Sequence, residues 1–207
     1  MPYTVAEIFC ALQGEGHRAG TRNVFVRFAG CNLTCNEAEH GFDCDTDFKS
    51  VYKKYKTAEE LVAEVVEVWG PAGVDWRSVI LTGGEPTLQA DGDLVAELGA
   101  AGFYTAMETN GIKDPPPVVM AMVDWISCSP KTAELSLKLS RADELRYVRA
   151  TRQGIPRPSL KAGHKFLSPA ADAGGPRQDN LEHCLKLIDE NPEWRLSVQM
   201  HKLWSMR

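Results

Sequence analysis

The sequence lacks any long apolar stretch and any excess of positive charge. No run approaches the roughly 20 apolar residues that a membrane-spanning helix requires. The chain has 23 Lys and Arg against 28 Asp and Glu, which gives a net charge of −5. A surface that binds the nucleic-acid backbone needs clustered basic side chains. The two absences predict a protein that neither spans a membrane nor binds nucleic acid.

The first residues, MPYTVAEIF, lack the basic start and long apolar stretch of a secretory signal peptide. We therefore expect a cytoplasmic protein. Thiols stay reduced in that compartment, where clustered cysteines bind metals more often than they form disulfides.

The composition itself is that of an ordinary globular protein, with 43% hydrophobic and 25% charged residues among 207. This length fits a single domain over residues 1–207 with a sizeable core. The sequence contains no internal repeat, heptad pattern or low-complexity tract.

Strand-like and helix-like patterns alternate along the chain. Strands are predicted at 23–30, 78–84, 103–111, the end of 118–130, 142–149, 164–168 and 194–200. Helices are predicted at 57–70, 91–102 and 177–192, the first with a capping box from Thr57 to Glu60. This alternation favours a parallel sheet with crossover helices, and the strands are too few for a closed eight-stranded barrel. We expect an α/β fold whose parallel sheet forms an open, partial (β/α) barrel.

Unusual residues directly follow four of the predicted strands. Cys31 follows the strand at 23–30, and the motifs TGGEP (82–86), ETNG (108–111) and SPK (129–131) follow the next three. Parallel α/β folds bind their ligands at the carboxyl ends of the strands. We therefore expect these four strand ends to meet at one site.

Three of the six cysteines, Cys31, Cys35 and Cys44, lie in one short polar loop. One interpretation is a structural zinc site, in which His40 completes a Cys₃His set. Another is an iron–sulfur cluster, in which three cysteines leave one iron open to a small molecule. A third interpretation is three unrelated surface thiols. The spacing alone favours neither zinc nor iron–sulfur.

The TGGEP motif favours a site that binds more than a metal ion. Two glycines after a strand let backbone groups approach a ligand closely. Exposed N–H groups there can receive a carboxylate, and carbonyl groups can receive an amine. A structural zinc module has no use for such a second site, although a plain Gly-Gly turn before a helix would give the same letters.

Several motifs together resemble one known enzyme family. They are LQGEG (12–16), VFVRFAGCNLTC (24–35), CDTDF (44–48), TGGEPTLQ (82–89), ETNG (108–111), SPK (129–131) and WRLSVQMHK (194–202). The cysteine loop with TGGEP resembles the radical S-adenosylmethionine enzymes. The whole set resembles the 7-carboxy-7-deazaguanine synthases of 7-deazapurine (queuosine) biosynthesis, which implies a modified radical S-adenosylmethionine core.

One feature departs from the common family pattern. That pattern is Cys-x₃-Cys-x₂-Cys, whereas here eight residues, 36–43, separate Cys35 from Cys44. The family varies in this loop. A longer loop can bulge outward and still bring three sulfur atoms to three irons.

The resemblance implies a set of cofactors and the residues that bind them. Cys31, Cys35 and Cys44 would hold a 4Fe-4S cluster whose open iron binds S-adenosylmethionine, and Thr46 would bind Mg²⁺. The implied cofactor contacts are Asp43, Asp45, Gly83, Gly84, Glu85, Glu108, Ser129, Pro130 and Lys131. The reactive adenosyl radical comes from the cofactor, so no side chain is expected to be a catalytic residue.

The resemblance also implies the substrate, 6-carboxy-5,6,7,8-tetrahydropterin. The family, a group of carbon–nitrogen lyases, contracts its ring and releases ammonia to give 7-carboxy-7-deazaguanine. The implied substrate contacts are Leu12, Gln13, Gly14, Glu15, Arg27, Thr82, Gln199 and His201. Arg27 suits the substrate carboxylate because a guanidinium binds it in a bidentate fork, and by strand alternation it shares a face with Phe25.

A reducing partner such as flavodoxin or ferredoxin and a homodimer are further implications of the resemblance. Two alternative functions stay open from the sequence. An activase for glycyl-radical enzymes would share the cysteine loop and TGGEP but lack LQGEG. A Cys₃His zinc module would bind a partner protein and would use His40.

Overall fold

The computed structural model describes residues 2–42, 44, 46–71, 76–172 and 175–204. Its strands are β1 (Tyr3–Leu12), β2 (Arg22–Phe28), β3 (Lys53–Tyr55), β4 (Arg77–Gly83), β5 (Phe103–Thr109), β6 (Trp125–Cys128), β7 (Glu144–Arg149), β8 (His164–Pro169), β9 (Ala171–Asp172), β10 (Gly175–Pro176) and β11 (Arg195–Leu196). Its α-helices are α1 (Glu37–His40), α2 (Ala58–Trp69), α3 (Gly92–Ala100), α4 (Pro117–Met122), α5 (Gln178–Glu190) and α6 (Met200–Leu203).

Nine of these strands form one sheet in the order β11-β8-β7-β6-β5-β4-β2-β1-β3. All neighbours from β2 to β11 are parallel, whereas β1 is antiparallel to both β2 and β3. The sheet is not closed, since β11 and β3 are its two edges. The predicted α/β fold with an open, mostly parallel sheet is confirmed, and this architecture is consistent with a partial barrel.

The sequence patterns predict no element at residues 3–12, yet β1 spans ten residues there. Because β1 is antiparallel to β2, its carboxyl end lies at the amino ends of the parallel strands. The loop that follows closes back on itself, with Gln13 N–H bonded to the Thr21 carbonyl at 2.8 Å. Arg18 of this loop donates to Ser78 at 2.5 Å and lies over the Tyr104 ring. This loop, residues 13–21, therefore lies beneath the parallel strands and is called the floor below.

One face of the sheet packs against helices and forms the main core. Its side chains alternate along the strands, as in Val24, Val26 and Phe28 of β2, and all three are fully buried. The helices α2, α3 and α5 cover this face with buried side chains, which include Leu61, Val65, Leu94, Leu98, Cys184 and Leu187. Burial of each such large apolar side chain contributes roughly 1.5–3 kcal/mol. The opposite face has a smaller apolar cluster of Phe25, Ile80 and Ala106.

The three predicted helices are confirmed as α2, α3 and α5. Thr57 caps α2 as predicted, because its hydroxyl accepts the Glu60 N–H at 3.3 Å. The Glu60 carboxylate accepts the N–H of Lys56 at 2.7 Å, one residue before the N–H that a capping box uses. Within the described residues, none of the helices has both the length and the apolar character needed to cross a membrane.

The predicted closing strand at 194–200 is wrong beyond its first residues. β11 covers only Arg195–Leu196, and Ser197 adds one N–H bond to the Leu167 carbonyl at 2.9 Å. The chain then leaves the sheet, and the Met200 N–H bonds to the Gly14 carbonyl at 3.1 Å. This contact with the floor competes with further pairing along β8, and α6 follows instead.

Candidate functional site

The four predicted strand ends lie side by side at the carboxyl edge of the sheet. The Gly84 N–H donates to the Phe28 carbonyl and the Glu85 N–H to the Gly30 carbonyl, both at 3.0 Å. The Asn110 side chain donates to Asn32 at 2.7 Å. The loop after β2, which carries the clustered cysteines, is therefore tied to the ends of both β4 and β5.

The two glycines of TGGEP are required by this close packing. A Cβ atom at Gly84 would overlap the Gly30 carbonyl oxygen, and one at Gly83 would overlap the Phe28 backbone. Gly83 also has a φ of 113°, a conformation that L residues rarely adopt. The glycines thus let the β4 end lie directly against the cysteine loop.

Glu85 is fully buried and holds the ends of β4 and β5 together. Its carboxylate accepts the Thr87 and Thr109 hydroxyls, each at 2.7 Å. It also accepts the Asn110 N–H at 2.9 Å. A buried carboxylate is stable only when it is hydrogen-bonded in this way. The side chain of Glu85 points inward, so only its backbone is available to a cofactor.

The enlarged cysteine loop contains the short helix α1. The Asn36 side chain caps it by accepting the Glu39 N–H at 3.0 Å, and Gly41 ends it with a φ of 80°. Residues 36–41 therefore form one compact helical turn after Cys35. Asp43 and Asp45, predicted as cofactor contacts, lie outside the described residues.

Cys31 and Cys35 are half-buried, and Cys44 is exposed, each as a free thiol. Burial raises the pKa of the Cys31 and Cys35 thiols, and the neighbouring Cys44 adds to the rise at both. Within residues 2–42, 44, 46–71, 76–172 and 175–204, no three His, Cys, Asp or Glu side chains are arranged to hold a metal ion.

A set of three free thiols in one loop at the carboxyl edge fits the donor chemistry of an iron–sulfur cluster. The Leu33 N–H donates to the Cys31 sulfur at 3.4 Å, the type of contact that tunes such clusters. His40, the fourth ligand of the zinc alternative, meets the Asn36 backbone through its Nδ1, which lies 3.2 Å from the Asn36 nitrogen and 3.3 Å from the Asn36 carbonyl oxygen. These contacts are compatible with both the iron–sulfur and the Cys₃His alternatives.

The SPK motif lies against this loop. Lys131 Nζ donates to the Ser129 hydroxyl at 2.6 Å and lies 5.1 Å from the centre of the Phe42 ring. The charge of Lys131 also lowers the pKa of Cys35, which partly opposes the effect of burial. Pro130 between them is buried. Lys131 thus lies against the cysteine loop, and Ser129 and Pro130 directly precede it at the same strand end.

A polar row crosses the helix-free face of the sheet at one level. Its members pair from strand to strand: Glu7, Arg27, Thr82, Glu108, Ser127 and Glu144. Because strand residues alternate between faces, these residues share the face of Phe25, and the predicted orientation of Arg27 is correct. The polar row lies between the small apolar cluster and the cysteine loop.

Glu108 is the central carboxylate of the polar row. It accepts Gln13 Nε2 at 2.9 Å, the Thr82 hydroxyl at 3.0 Å and Arg146 Nη2 at 2.7 Å. Burial would raise the pKa of Glu108, but the charge and hydrogen bonds of Arg146, with those of Gln13 and Thr82, bring it below its ordinary value. Glu108 is therefore ionised near neutral pH.

Arg146 of β7 is a central residue that the sequence patterns did not identify. Its Nη1 lies 2.8 Å from Glu15, its Nη2 2.7 Å from Glu108 and its Nε 3.2 Å from Glu144. Burial alone would lower the pKa of Arg146, but Glu108, Glu15 and Glu144 raise it well above its ordinary value. Charged residues at alternate positions of a buried parallel strand were the available signal, since such strands are otherwise apolar.

Glu144 connects this network to the floor. It accepts the Ser127 hydroxyl and the His17 N–H, each at 2.8 Å. A Cβ atom at Gly16 would overlap the Glu144 carboxylate, so the last glycine of LQGEG is required here. The Gly16 N–H itself donates to the Ser197 hydroxyl at 3.1 Å.

The predicted substrate residues are brought together only in part. Gln13, Glu15 and Thr82 join the network around Glu108, and Gln199 joins it because its Nε2 donates to Glu15 at 2.7 Å. Gly14 contributes a carbonyl to the Met200 N–H. Leu12 pairs with Arg22 at the edge of the floor and is 41% exposed. The side chain of His201 lies outside the described part of the structure.

Arg27 lines a cavity of about 380 Å³ at the end of the polar row that is opposite to Glu144. Its Nε lies 3.4 Å from Glu7, and its Nη1 donates to the Thr46 hydroxyl at 3.4 Å. Both contacts are long, and the Arg27 side chain is 24% exposed. The guanidinium can therefore turn to a carboxylate that enters the cavity.

The proposed magnesium ligand Thr46 lines the same cavity, with Asp47 and Ser50. The Asp47 carboxylate is held in its own turn by the Lys49 N–H at 3.0 Å and the Ser50 hydroxyl at 2.5 Å. Hard oxygen donors suit Mg²⁺, which keeps several waters and takes few protein ligands. The Thr46 hydroxyl fits this chemistry as one donor, with further oxygens to come from substrate and water.

Curated proteins of one family match the chain over nearly its full length. It is 41% identical to the 7-carboxy-7-deazaguanine synthase of Burkholderia multivorans, over 98% of each chain. The identity is 40% to that of Caulobacter vibrioides and 38% to that of Bacteroides thetaiotaomicron, again over 98% of each chain. No family model matches the sequence.

The fold also has a counterpart among solved structures. It matches the crystal structure of QueE from Escherichia coli with a TM-score of 0.69, over 97% of this chain and 95% of that chain. The sequence identity in this match is 24%, so this likeness bears on the fold alone. It agrees with the open, mostly parallel sheet described above.

Proposed function

The chain belongs to the 7-carboxy-7-deazaguanine synthase family, and we propose that it converts 6-carboxy-5,6,7,8-tetrahydropterin to 7-carboxy-7-deazaguanine with loss of ammonia. The near full-length likeness to these synthases carries the proposal, and the polar row beside the cysteine loop supports it. The protein is thus a radical S-adenosylmethionine lyase of 7-deazapurine (queuosine) biosynthesis. Family membership excludes the glycyl-radical activase and the zinc module.

The polar row, together with Glu15 of the floor, gives the substrate complementary partners. The Arg27 guanidinium, with its long contacts, binds the substrate carboxylate in the cavity. Glu15 and Glu108 accept hydrogen bonds from the N–H groups of the pterin, since ionised carboxylates are acceptors only. Glu108 was predicted as a cofactor contact, but its bonds to Gln13 and Thr82 support a role in binding substrate.

Gln13 and Thr82 orient Glu108 and face the same ligand. Gly14 adds backbone groups, and Gln199 and His201 close the site from the segment after β11. Leu12 contributes through its backbone, because its side chain lies at the exposed edge of the floor. These assignments are supported by the contacts of Glu15 with Gln199 and of Gly14 with Met200.

Cys31, Cys35 and Cys44 would hold the 4Fe-4S cluster. The backbone of Gly83, Gly84 and Glu85 would hold the amine of S-adenosylmethionine, and Ser129, Pro130 and Lys131 would line its other side, with Asp43 and Asp45 from the cysteine loop. When bound, the cluster and S-adenosylmethionine supply a radical that removes a hydrogen atom from the substrate. Thr46 would place Mg²⁺ next to the substrate carboxylate at Arg27.

The first test is an anaerobic assay of the reconstituted protein. The protein is loaded with iron and sulfide, mixed with S-adenosylmethionine, reductant, Mg²⁺ and 6-carboxytetrahydropterin, and its products are followed by mass spectrometry. We expect 7-carboxy-7-deazaguanine from the wild type and none from Cys44→Ala. Cys10→Ala, which removes a half-buried thiol of β1, is the matched control and should keep its iron and its activity.

The alternative outcomes are distinct. If 5′-deoxyadenosine forms without any deazaguanine, the radical chemistry is right and the substrate is wrong. If zinc copurifies and no cluster assembles, the radical chemistry is excluded. If Cys44→Ala retains full iron and activity, the ligand set across the long loop is wrong.

We propose three further properties that follow from family resemblance. A flavodoxin or ferredoxin supplies electrons, the protein is a homodimer, and it works in the cytoplasm, where its six free thiols would stay reduced. Residues 1–207 form one radical S-adenosylmethionine domain, an assignment supported by strands from Tyr3 to Leu196 in a single sheet. Light scattering during size-exclusion chromatography tests the dimer.

A further inference from the structure

The two carboxylates assigned to the pterin come from distant parts of the chain and meet at one side chain. Glu15 lies in the loop after β1, and Glu108 lies on β5. Arg146 of β7 donates to each, at 2.8 Å and 2.7 Å, across sequence separations of 131 and 38 residues. Within the described residues, Arg146 is their only shared hydrogen-bond donor.

We propose that Arg146 is a positioning residue that fixes the spacing and direction of Glu15 and Glu108, so that both carboxylates accept hydrogen bonds from one bound pterin. This inference rests on the proposed function and deepens it. Arg146 would not touch the substrate itself, because its side chain is only 6% exposed and is surrounded by its carboxylate partners.

The carboxylates keep capacity for a ligand after their bonds to the protein. An ionised carboxylate has about four lone-pair sites. Glu15 uses two of these to accept Arg146 and Gln199, and Glu108 uses three to accept Arg146, Gln13 and Thr82. The sites left over match the N–H donors along a pterin edge, provided that both carboxylates are held in place.

An arginine suits this task better than other cations. Its planar fork makes separate, directed bonds to different carboxylates, as seen with Glu15 and Glu108. Its Nε also faces Glu144 at 3.2 Å, without hydrogen-bond geometry within the described part of the chain. Without the guanidinium, three carboxylates would face one another in a buried site, and like charges at such range repel. Glu15 and Glu108 would then lose their alignment.

The experiment compares Arg146→Met and Arg146→Lys with Arg149→Met in the reconstituted enzyme. Arg149 lies on the same strand but faces the helix-covered side and bonds only to backbone carbonyls in the described structure, so it is the matched control. We expect Arg146→Met to raise KM for the pterin by at least about tenfold. The reason is the loss of the charge-assisted hydrogen bonds that align Glu15 and Glu108. Arg146→Lys should recover part of that loss. Cleavage of S-adenosylmethionine without substrate, iron content and the control variant should be unchanged.

A double-mutant cycle separates positioning from direct binding. If Arg146 acts through Glu108, then Arg146→Lys in a Glu108→Gln background should raise KM by much less than it does in the wild type. This pair uses the conservative variant, so it stays informative if Arg146→Met does not fold. Additive effects would overturn the proposal, since they mean that Arg146 acts independently of Glu108.

Three further results would count against it. Unchanged KM and kcat in folded Arg146→Met would overturn the positioning role. A wild type that binds S-adenosylmethionine and cleaves it, but forms no product from the pterin, would refute the proposed substrate and with it this inference. Loss of activity in proportion to folded protein, with KM unchanged, would make Arg146 a purely structural residue.

Discussion

At the scale of single residues, buried charges organise both ends of the site. Glu85 at the carboxyl edge and Glu144 near the floor are almost fully buried, and each accepts several hydrogen bonds. A buried carboxylate without partners would cost far more than the bonds return. Their donors are therefore as important as the carboxylates, and Thr109 and Ser127 hold the site through Glu85 and Glu144.

The depressed pKa of Glu108 gives a pH-dependent stability. Because that pKa lies below its ordinary value of 4.5, the ionised network stabilises the fold fully above about pH 4.5, and this stabilisation is lost as pH falls through the lower folded value. We expect the free energy of unfolding to differ most between wild type and Glu108→Gln near neutral pH, and the difference to shrink below pH 4.5. Urea titrations over a pH series measure it.

Glu190→Gln, at the exposed end of α5, is the matched control for this measurement. Its difference from wild type should not follow the pH course of Glu108→Gln. A gap between wild type and Glu108→Gln that stays constant from neutral pH down to about pH 2 would show that the carboxylate contributes no charge-dependent stability.

At the scale of elements, the parallel strands and long helices could be predicted and the antiparallel part could not. β2 alternates apolar and polar residues, and β4 is a short, β-branched run that ends at glycine. β1 alternates poorly, because its pairing with β2 is irregular between Val5 and Glu7 and most of its side chains are half-buried. Its antiparallel direction, which carries Gln13 and Glu15 to the floor, is set by long-range pairing.

The site residues, too, could be predicted only in part. Motifs such as TGGEP and SPK were identifiable because each directly follows a predicted strand, which places it at the carboxyl edge of the sheet. Arg146 was missed because its three carboxylates come from three different elements. The small helix α1 was missed because the inserted residues 36–43 carry no extended apolar pattern.

Two glycines of different elements give a contrasting prediction. Gly84→Ala should destabilise the protein by at least about 1–3 kcal/mol, because the new Cβ overlaps the Gly30 carbonyl and the backbone has to move. Gly99→Ala in α3 meets no atom within 4 Å, so it should stabilise the protein by about 0.5–1 kcal/mol through helix propensity. Thermal and urea unfolding of both variants measure the effects, and equal effects would contradict the packing of TGGEP against the cysteine loop.

At the scale of the whole molecule, one sheet and one main core connect the chain from Tyr3 to Trp194. The apolar core on the helical side supplies stability, while the other face is given over to the polar row. The two functions of the sheet are thus separated by the alternation of its side chains.

A single core predicts a single unfolding event. We expect calorimetry of the apoprotein to show one transition, with matching calorimetric and van't Hoff enthalpies. Two resolved transitions, or loss of tryptophan fluorescence at a different temperature from loss of helix, would contradict a single domain over residues 1–207.

The floor of the site has a consequence for how the protein is made. Gly16 bonds to Ser197 and Glu15 to Gln199, over separations of 181 and 184 residues. During synthesis the first strand and its loop leave the ribosome long before these partners exist, and contacts of such separation form slowly. The sheet can assemble while translation continues, but the proposed pterin site is completed only after Ser197 and Gln199 have left the ribosome. A nascent chain is therefore folded before it is able to bind substrate.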